Sequence, residues 1–89
     1  MAYNAKNLSV LAYANGFTLW HYTTADAATA VDSSGYFNGA TDMVRVGDMI
    51  LANSDTGASY ASGVFVVAAN SGGTVDVANM TQFNGSNTD

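Results

Sequence analysis

The sequence predicts an all-β fold: a small single-domain barrel or sandwich of five or six short antiparallel strands with one long irregular loop. Three observations carry this expectation. Residues that favour strands gather in short runs spaced about ten residues apart. Turn-forming steps such as Asn15-Gly16 and Gly72-Gly73 separate those runs. No apolar stripe of helical period is long enough to suggest a dominant helix. Proline is absent and glycine occurs nine times, so the turns fall to Asn, Asp and Gly. With 89 residues the chain has room for one core, and we treat 1–89 as one domain in which 82–89 form a polar tail.

The first run, Leu8 to Ala14, precedes Asn15-Gly16. It reads either as a short helix capped by Asn7 and ended by Gly16, or as the first arm of a two-residue hairpin, and the hairpin is the preferred reading. The second run, Phe17 to Thr23, is dense in aromatic and β-favouring residues and predicts a strand. Residues 25–43 show no period of two and are rich in Asp, Ser and Gly, which describes the long connection. Within it Asp26 is placed to cap a helical turn, and Tyr36-Phe37 to anchor the loop on the core.

A strand from Val44 to Ala52 follows, interrupted at Gly47 by a bulge or tight bend. Residues 53–57 read as a turn cluster. Gly63 to Ala68 is the most apolar run and, being apolar on both faces, predicts a strand that is central or covered. Asn70-Ser71-Gly72-Gly73 then turns the chain into Thr74 to Val77, a hairpin arm with Val75 and Val77 facing inward.

Composition narrows function. Charged residues make up 10% of the chain against roughly 25% in an average soluble domain, while apolar residues make up 48%. Much of the surface is therefore uncharged, which favours burial in an assembly. The only basic residues are Lys6 and Arg45, against seven aspartates. Two isolated cations cannot neutralise a phosphate backbone or an anionic membrane surface, so neither nucleic acid nor membrane is an expected partner. No apolar run approaches the roughly 20 residues of a membrane span, and the N-terminus lacks a signal-peptide layout, so the chain is expected to be made in a cytoplasm. On that reading the sequons at Asn7, Asn79 and Asn84 carry no glycan. With no cysteine, disulfides are excluded and self-association becomes the expected source of extra stability.

Catalytic and cofactor chemistry find little support. His21 is the single histidine, and Phe17 and Leu19 flank it on its own strand face, the setting of a partly buried structural histidine. Asp42 and Asp48 flank Arg45, but a turn at Gly47-Asp48 and a structural bond to Arg45 explain them better than acid–base catalysis. Residues 53–57 alternate oxygen ligands as calcium loops do, yet lack the closing Glu. Gly72-Gly73 precedes no helix and so cannot cradle a phosphate. No metal, cofactor or enzyme activity is expected. The aromatic set Trp20, Tyr22, Tyr36, Phe37, Tyr60 and Phe65 serves core packing first, with a sugar platform of Trp20, Tyr36 and Tyr60 as the reading from another class.

Taken together, Leu19-Trp20-His21-Tyr22, Gly35-Tyr36-Phe37-Asn38 and Val44-Arg45-Val46-Gly47-Asp48-Met49-Ile50 resemble small proteins encoded beside capsid genes in tailed bacteriophages and prophages. The resemblance runs from about Leu8 to Thr81. It implies a virion structural protein of the head decoration, cement or head-fibre type, a homotrimer or similar homo-oligomer that binds the major capsid protein on the outer lattice. A neck, tail or fibre-anchoring component is the alternative within that class. The expected contact residues are Tyr3, Ser33, Tyr36, Phe37 and Asn38, from the N-terminal segment and the long loop.

Overall fold

The computed structural model describes residues 3–58 and 60–83. Strands dominate: β1 (Leu8–Ala14), β2 (Phe17–Thr23), β3 (Met49–Ser54), β4 (Ala61–Ser71), β5 (Thr74–Val77) and β6 (Thr81–Gln82). They form one six-stranded sheet in the order β1-β2-β3-β4-β5, with β6 also on β4. Among the described residues the helical content is one short turn of helix, α1 (Ala28–Val31), and two three-residue 3-10 turns.

The first hairpin settles the ambiguity over Leu8–Ala14 in favour of a strand. Asn15 and Gly16 both take positive φ, 46° and 85°, which matches the right-handed twist of the strands they join. Gly72 and Gly73, at 61° and 84°, close the β4–β5 hairpin in the same way, and Val75 and Val77 face the core as expected. β1 is bulged between Val10 and Ala12. After β5 the chain stays beside β4: Ala78 N–H bonds the Val66 carbonyl, Val64 pairs with Thr81, and Phe83 N–H reaches the Ser62 carbonyl. β5 and β6 are thus one interrupted edge.

The all-β expectation holds, with three revisions. First, the sheet is mixed: β2 and β3 run parallel, Leu19 opposite Met49 through Thr23 opposite Asn53, while the other pairs are antiparallel. The long loop is the reason. Parallel neighbours need a crossover of a dozen residues or more, and residues 24–48 supply it in irregular form where a helix is usual. Second, that crossover, not a second sheet or a closed barrel, covers the sheet. It buries Val31, Phe37, Ala40 and Val44 against Trp20, Tyr22, Ile50, Ala52, Phe65, Val67, Val75 and Val77. Third, three local boundaries move. The strand foreseen from Val44 begins only at Met49, because Gly47 takes φ +94° and its N–H goes to the Val67 carbonyl. β3 runs on through Asn53 and Ser54, so the turn starts at Asp55, at φ +52°. Gln82, assigned to the tail, pairs with Gly63, and residues 84–89 of that tail lie outside the described residues.

Side-chain amides stitch the crossover to the sheet. Asn70 donates to the carbonyls of Thr41 and Val44, both at 2.8 Å, and accepts from Thr41 Oγ1 at 2.7 Å. Asn38 Oδ1 accepts the Val75 N–H at 2.8 Å, and Gly35 N–H bonds the Val75 carbonyl. An irregular layer buried on a sheet leaves backbone groups that no ladder satisfies, and these asparagines meet that need.

Candidate functional site

The pleat sends alternate residues to opposite sides, and the two sides of this sheet differ. On the covered side, Asp48 is buried and collects three donors. Thr18 N–H bonds Oδ1 at 3.1 Å, while Trp20 Nε1 and Arg45 N–H bond Oδ2 at 3.1 and 3.0 Å. The carboxylate thereby ties β2 to the end of the crossover just where it enters β3. The structural reading of Asp48 stands, although its partners are backbone and indole donors.

A second polar chain runs through the aromatic cluster. Tyr36 donates its hydroxyl to Asp26 Oδ2 at 2.6 Å, the Tyr36 and Tyr22 hydroxyls lie 3.0 Å apart, and Asn4 N–H bonds the Tyr22 hydroxyl oxygen at 3.0 Å. Burial, with the bond to Asp26 next, raises the Tyr36 hydroxyl well above the usual phenol range. Asp26 therefore holds Tyr36 and is not the helix cap foreseen for it. Ala27 occupies that position and gives no side-chain bond.

The five expected contact residues belong mainly to this packing. Tyr3 stacks on Tyr22 at a centroid distance of 5.8 Å and meets Phe37 edge-on at 5.5 Å. Burial and then the neighbouring Tyr22 raise its hydroxyl, which is enclosed without a partner among the described residues. Phe37 is 1% exposed and sits at the centre of the aromatic cluster, so its ring is not offered outward. Tyr36 is half-buried and hydrogen-bonded inside. Asn38 is exposed but commits Oδ1 to Val75, and Ser33 is exposed with its hydroxyl on the Thr29 carbonyl. The sugar platform is likewise dispersed: Trp20 is buried on Asp48, Tyr36 is held by Asp26, and only Tyr60 is exposed.

The other side of the sheet has no covering layer among the described residues. One row across it runs Ala12, Leu19, Met49, Val66, and the next runs Ser9, His21, Leu51, Val64, Thr81. A third joins Thr23, Asn53 and Ser62, with Phe83 beside Ser62. Met49, Val66 and Phe83 are exposed, at 41%, 36% and 52%, and Leu19, His21, Leu51 and Val64 are half-buried. None of these positions is Asp, Lys or Arg.

A shallow groove of about 260 Å³ crosses this face, lined by His21, Leu51, Asn53, Ser62 and Phe83. Its polar groups are paired with one another. Ser62 Oγ donates to Asn53 Oδ1 at 2.6 Å, and Asn53 Nδ2 lies 3.4 Å from His21 Nε2. Half-buried His21 thus has an amide neighbour and, among the described residues, no carboxylate bonded to it. Among the described residues no group of three His, Cys, Asp or Glu is placed to hold a metal, and no helix is long and apolar enough to cross a membrane.

The open face is the feature that reading the sequence missed. Its signal is the adjacency of apolar residues in Met49-Ile50-Leu51 and Val64-Phe65-Val66-Val67, which puts apolar side chains on both sides of the strands. No protein-family model, curated protein or solved structure matches this chain.

Proposed function

We propose that this chain is an assembly subunit without catalytic function: a structural protein of a bacteriophage virion, of the capsid decoration or cement kind, that associates with its own copies and with the major capsid protein. The observation that carries the reading is the open sheet face, where an apolar row of four strands (Ala12, Leu19, Met49, Val66) lies beside a five-strand row through Leu51 and Val64, with no Asp, Lys or Arg in either. Soluble monomers rarely leave a contiguous apolar patch larger than a few hundred Å² uncovered. The phage context comes from the sequence resemblance described above. The acidic balance, a net charge of −5, fits a shell component that stays off packaged nucleic acid.

The test is the composition of particles. The protein should be found in purified virions at a copy number in the hundreds, it should co-sediment with empty capsids, and deletion of its gene should leave fragile or incomplete heads. About a dozen copies per particle would move it to the neck or tail. Absence from purified particles would overturn the reading.

A further inference from the structure

We infer that the open face is covered by the same face of a second copy, so that two sheets pack face to face into a two-fold sandwich with the irregular crossovers outside. The inference deepens the reading of the chain as an assembly subunit, and three properties of the face single out this occupant.

The first is charge. Each copy carries a net −5, so most ways of bringing two copies together juxtapose like charges. Asp26, Asp32, Asp42 and Asp48 lie in the crossover and Asp55 in the turn after β3, while Asp76, between inward-facing Val75 and Val77, faces the open side at the outer strand β5. The rows through Leu19, Leu51 and Asn53 carry none of them. Two acidic chains that pack on these rows leave Asp76, at the β5 edge, as the one of these carboxylates on the paired side.

The second is polar satisfaction. Covering a surface is costly when it strands donors or acceptors. On this face Ser62, Asn53 and His21 already form a chain of contacts across β4, β3 and β2, so an apolar partner can lie over them without breaking it. A partner that reads polar groups would need some of them free.

The third is size. Five strands at about 4.8 Å spacing, each about seven residues long at about 3.3 Å per residue, give a footprint of roughly 550 Å² before side-chain relief is counted. That approaches the roughly 600–1,000 Å² that each partner contributes to a specific interface. Packed sheets lie about 10 Å apart, a gap that Leu19, Met49, Leu51, Val64, Val66 and Phe83 from two copies would fill. Isologous pairing closes on itself, so the unit is a dimer and not the trimer that the resemblance implied.

The full chain should therefore run in light scattering after size exclusion at twice 9.2 kDa. Met49→Lys, at an exposed strand position, places two like charges in the gap and should weaken the dimer by about tenfold or more, while circular dichroism stays unchanged. Because the chain has no cysteine, single substitutions also serve as site-specific probes. Met49→Cys should cross-link between copies with a short bismaleimide, and Ser33→Cys on the crossover should not. A monomer at all accessible concentrations, a trimer, or a dimer that cross-links through Ser33→Cys and not Met49→Cys would overturn the inference. So would a monomeric protein whose Met49→Lys variant loses binding to empty capsids, which would assign the face to the capsid protein and leave the proposed function standing. A face-to-face dimer absent from virions would do the reverse.

Discussion

The two faces of one sheet are built from similar residues and reach different ends. Phe65 and Val67 point to the crossover and are fully buried, while their neighbours Val64 and Val66 point the other way and are half-buried or exposed. What separates them is the cover, and the cover is specified by polar residues. Asp48, Asn70, Asn38 and Asp26 fix an irregular segment over one face. On the other face the polar trio His21, Asn53 and Ser62 binds only itself. A buried polar group in this protein marks where a layer is fastened, and an apolar surface without one marks where none of the described layers is.

The sharpest way to break this contrast is to cut a fastening. Asp48→Ala should cost about 3–5 kcal/mol, since the N–H groups of Thr18, Trp20 and Arg45 lose their acceptor in the interior. A domain of this length holds roughly 4–13 kcal/mol in all, so urea titration should find the variant marginal or unfolded. An effect below about 1 kcal/mol would mean that water reaches those donors. Deleting bulk on the two faces sharpens the comparison next. Phe65→Ala should cost about 3–5 kcal/mol, whereas Val64→Ala, at a half-buried position, should cost about 1 kcal/mol or less in the monomer. Equal losses would show that both faces are covered in the isolated chain.

How far these faces could be read from the sequence follows the same division. The strands and both two-residue hairpins were legible because period-two patterning and the Asn-Gly and Gly-Gly steps are local signals. So was the anchoring of the loop by Tyr36-Phe37, an aromatic pair in a polar stretch. The parallel pairing of β2 and β3 was not. It depends on which end of the sheet the crossover returns to, and the ties that decide this, Asn70 to Thr41 and Val44, span 26 to 29 residues with no short motif. The placement of the expected contact residues Tyr36 and Phe37 was hidden for a related reason. Tyr36 and Phe37 are conspicuous in sequence because they make the core of the crossover, and that same packing turns them inward.

Gly63 tests the seam between β4 and the interrupted edge. A Cβ at that position would meet the Thr81 carbonyl oxygen and lie 2.7 Å from Met80 Cγ, closer than real contacts allow. Gly63→Ala should cost about 1–3 kcal/mol by forcing β6 off β4, with amide exchange accelerating at Phe83 ahead of β5. A neutral outcome would mean that β6 contributes nothing to the fold.

A modest effect belongs to the hydroxyl chain that fastens the N-terminal segment and crossover to β2. Tyr36→Phe removes the donor to Asp26 and the contact with Tyr22, and should cost about 1–2 kcal/mol near neutral pH. Its pH dependence is the more telling readout. In the folded protein burial and the bond to Asp26 raise the Tyr36 hydroxyl above its ordinary value of 10.0, and Tyr3 is raised by burial and by Tyr22. An unfolded chain ionises these groups near 10 while the folded chain keeps them protonated. The folded state then binds more protons, and stability is full below about pH 10 and falls as pH rises above it. Unfolding monitored between pH 8 and 11.5 should show that decline in the wild type, accompanied by tyrosinate absorbance appearing with unfolding. Tyr36→Phe should start lower and decline less steeply, leaving Tyr3 to supply the rest. Parallel declines in the two proteins would remove Tyr36 from the linkage and place the alkaline limit of this fold elsewhere in the cluster.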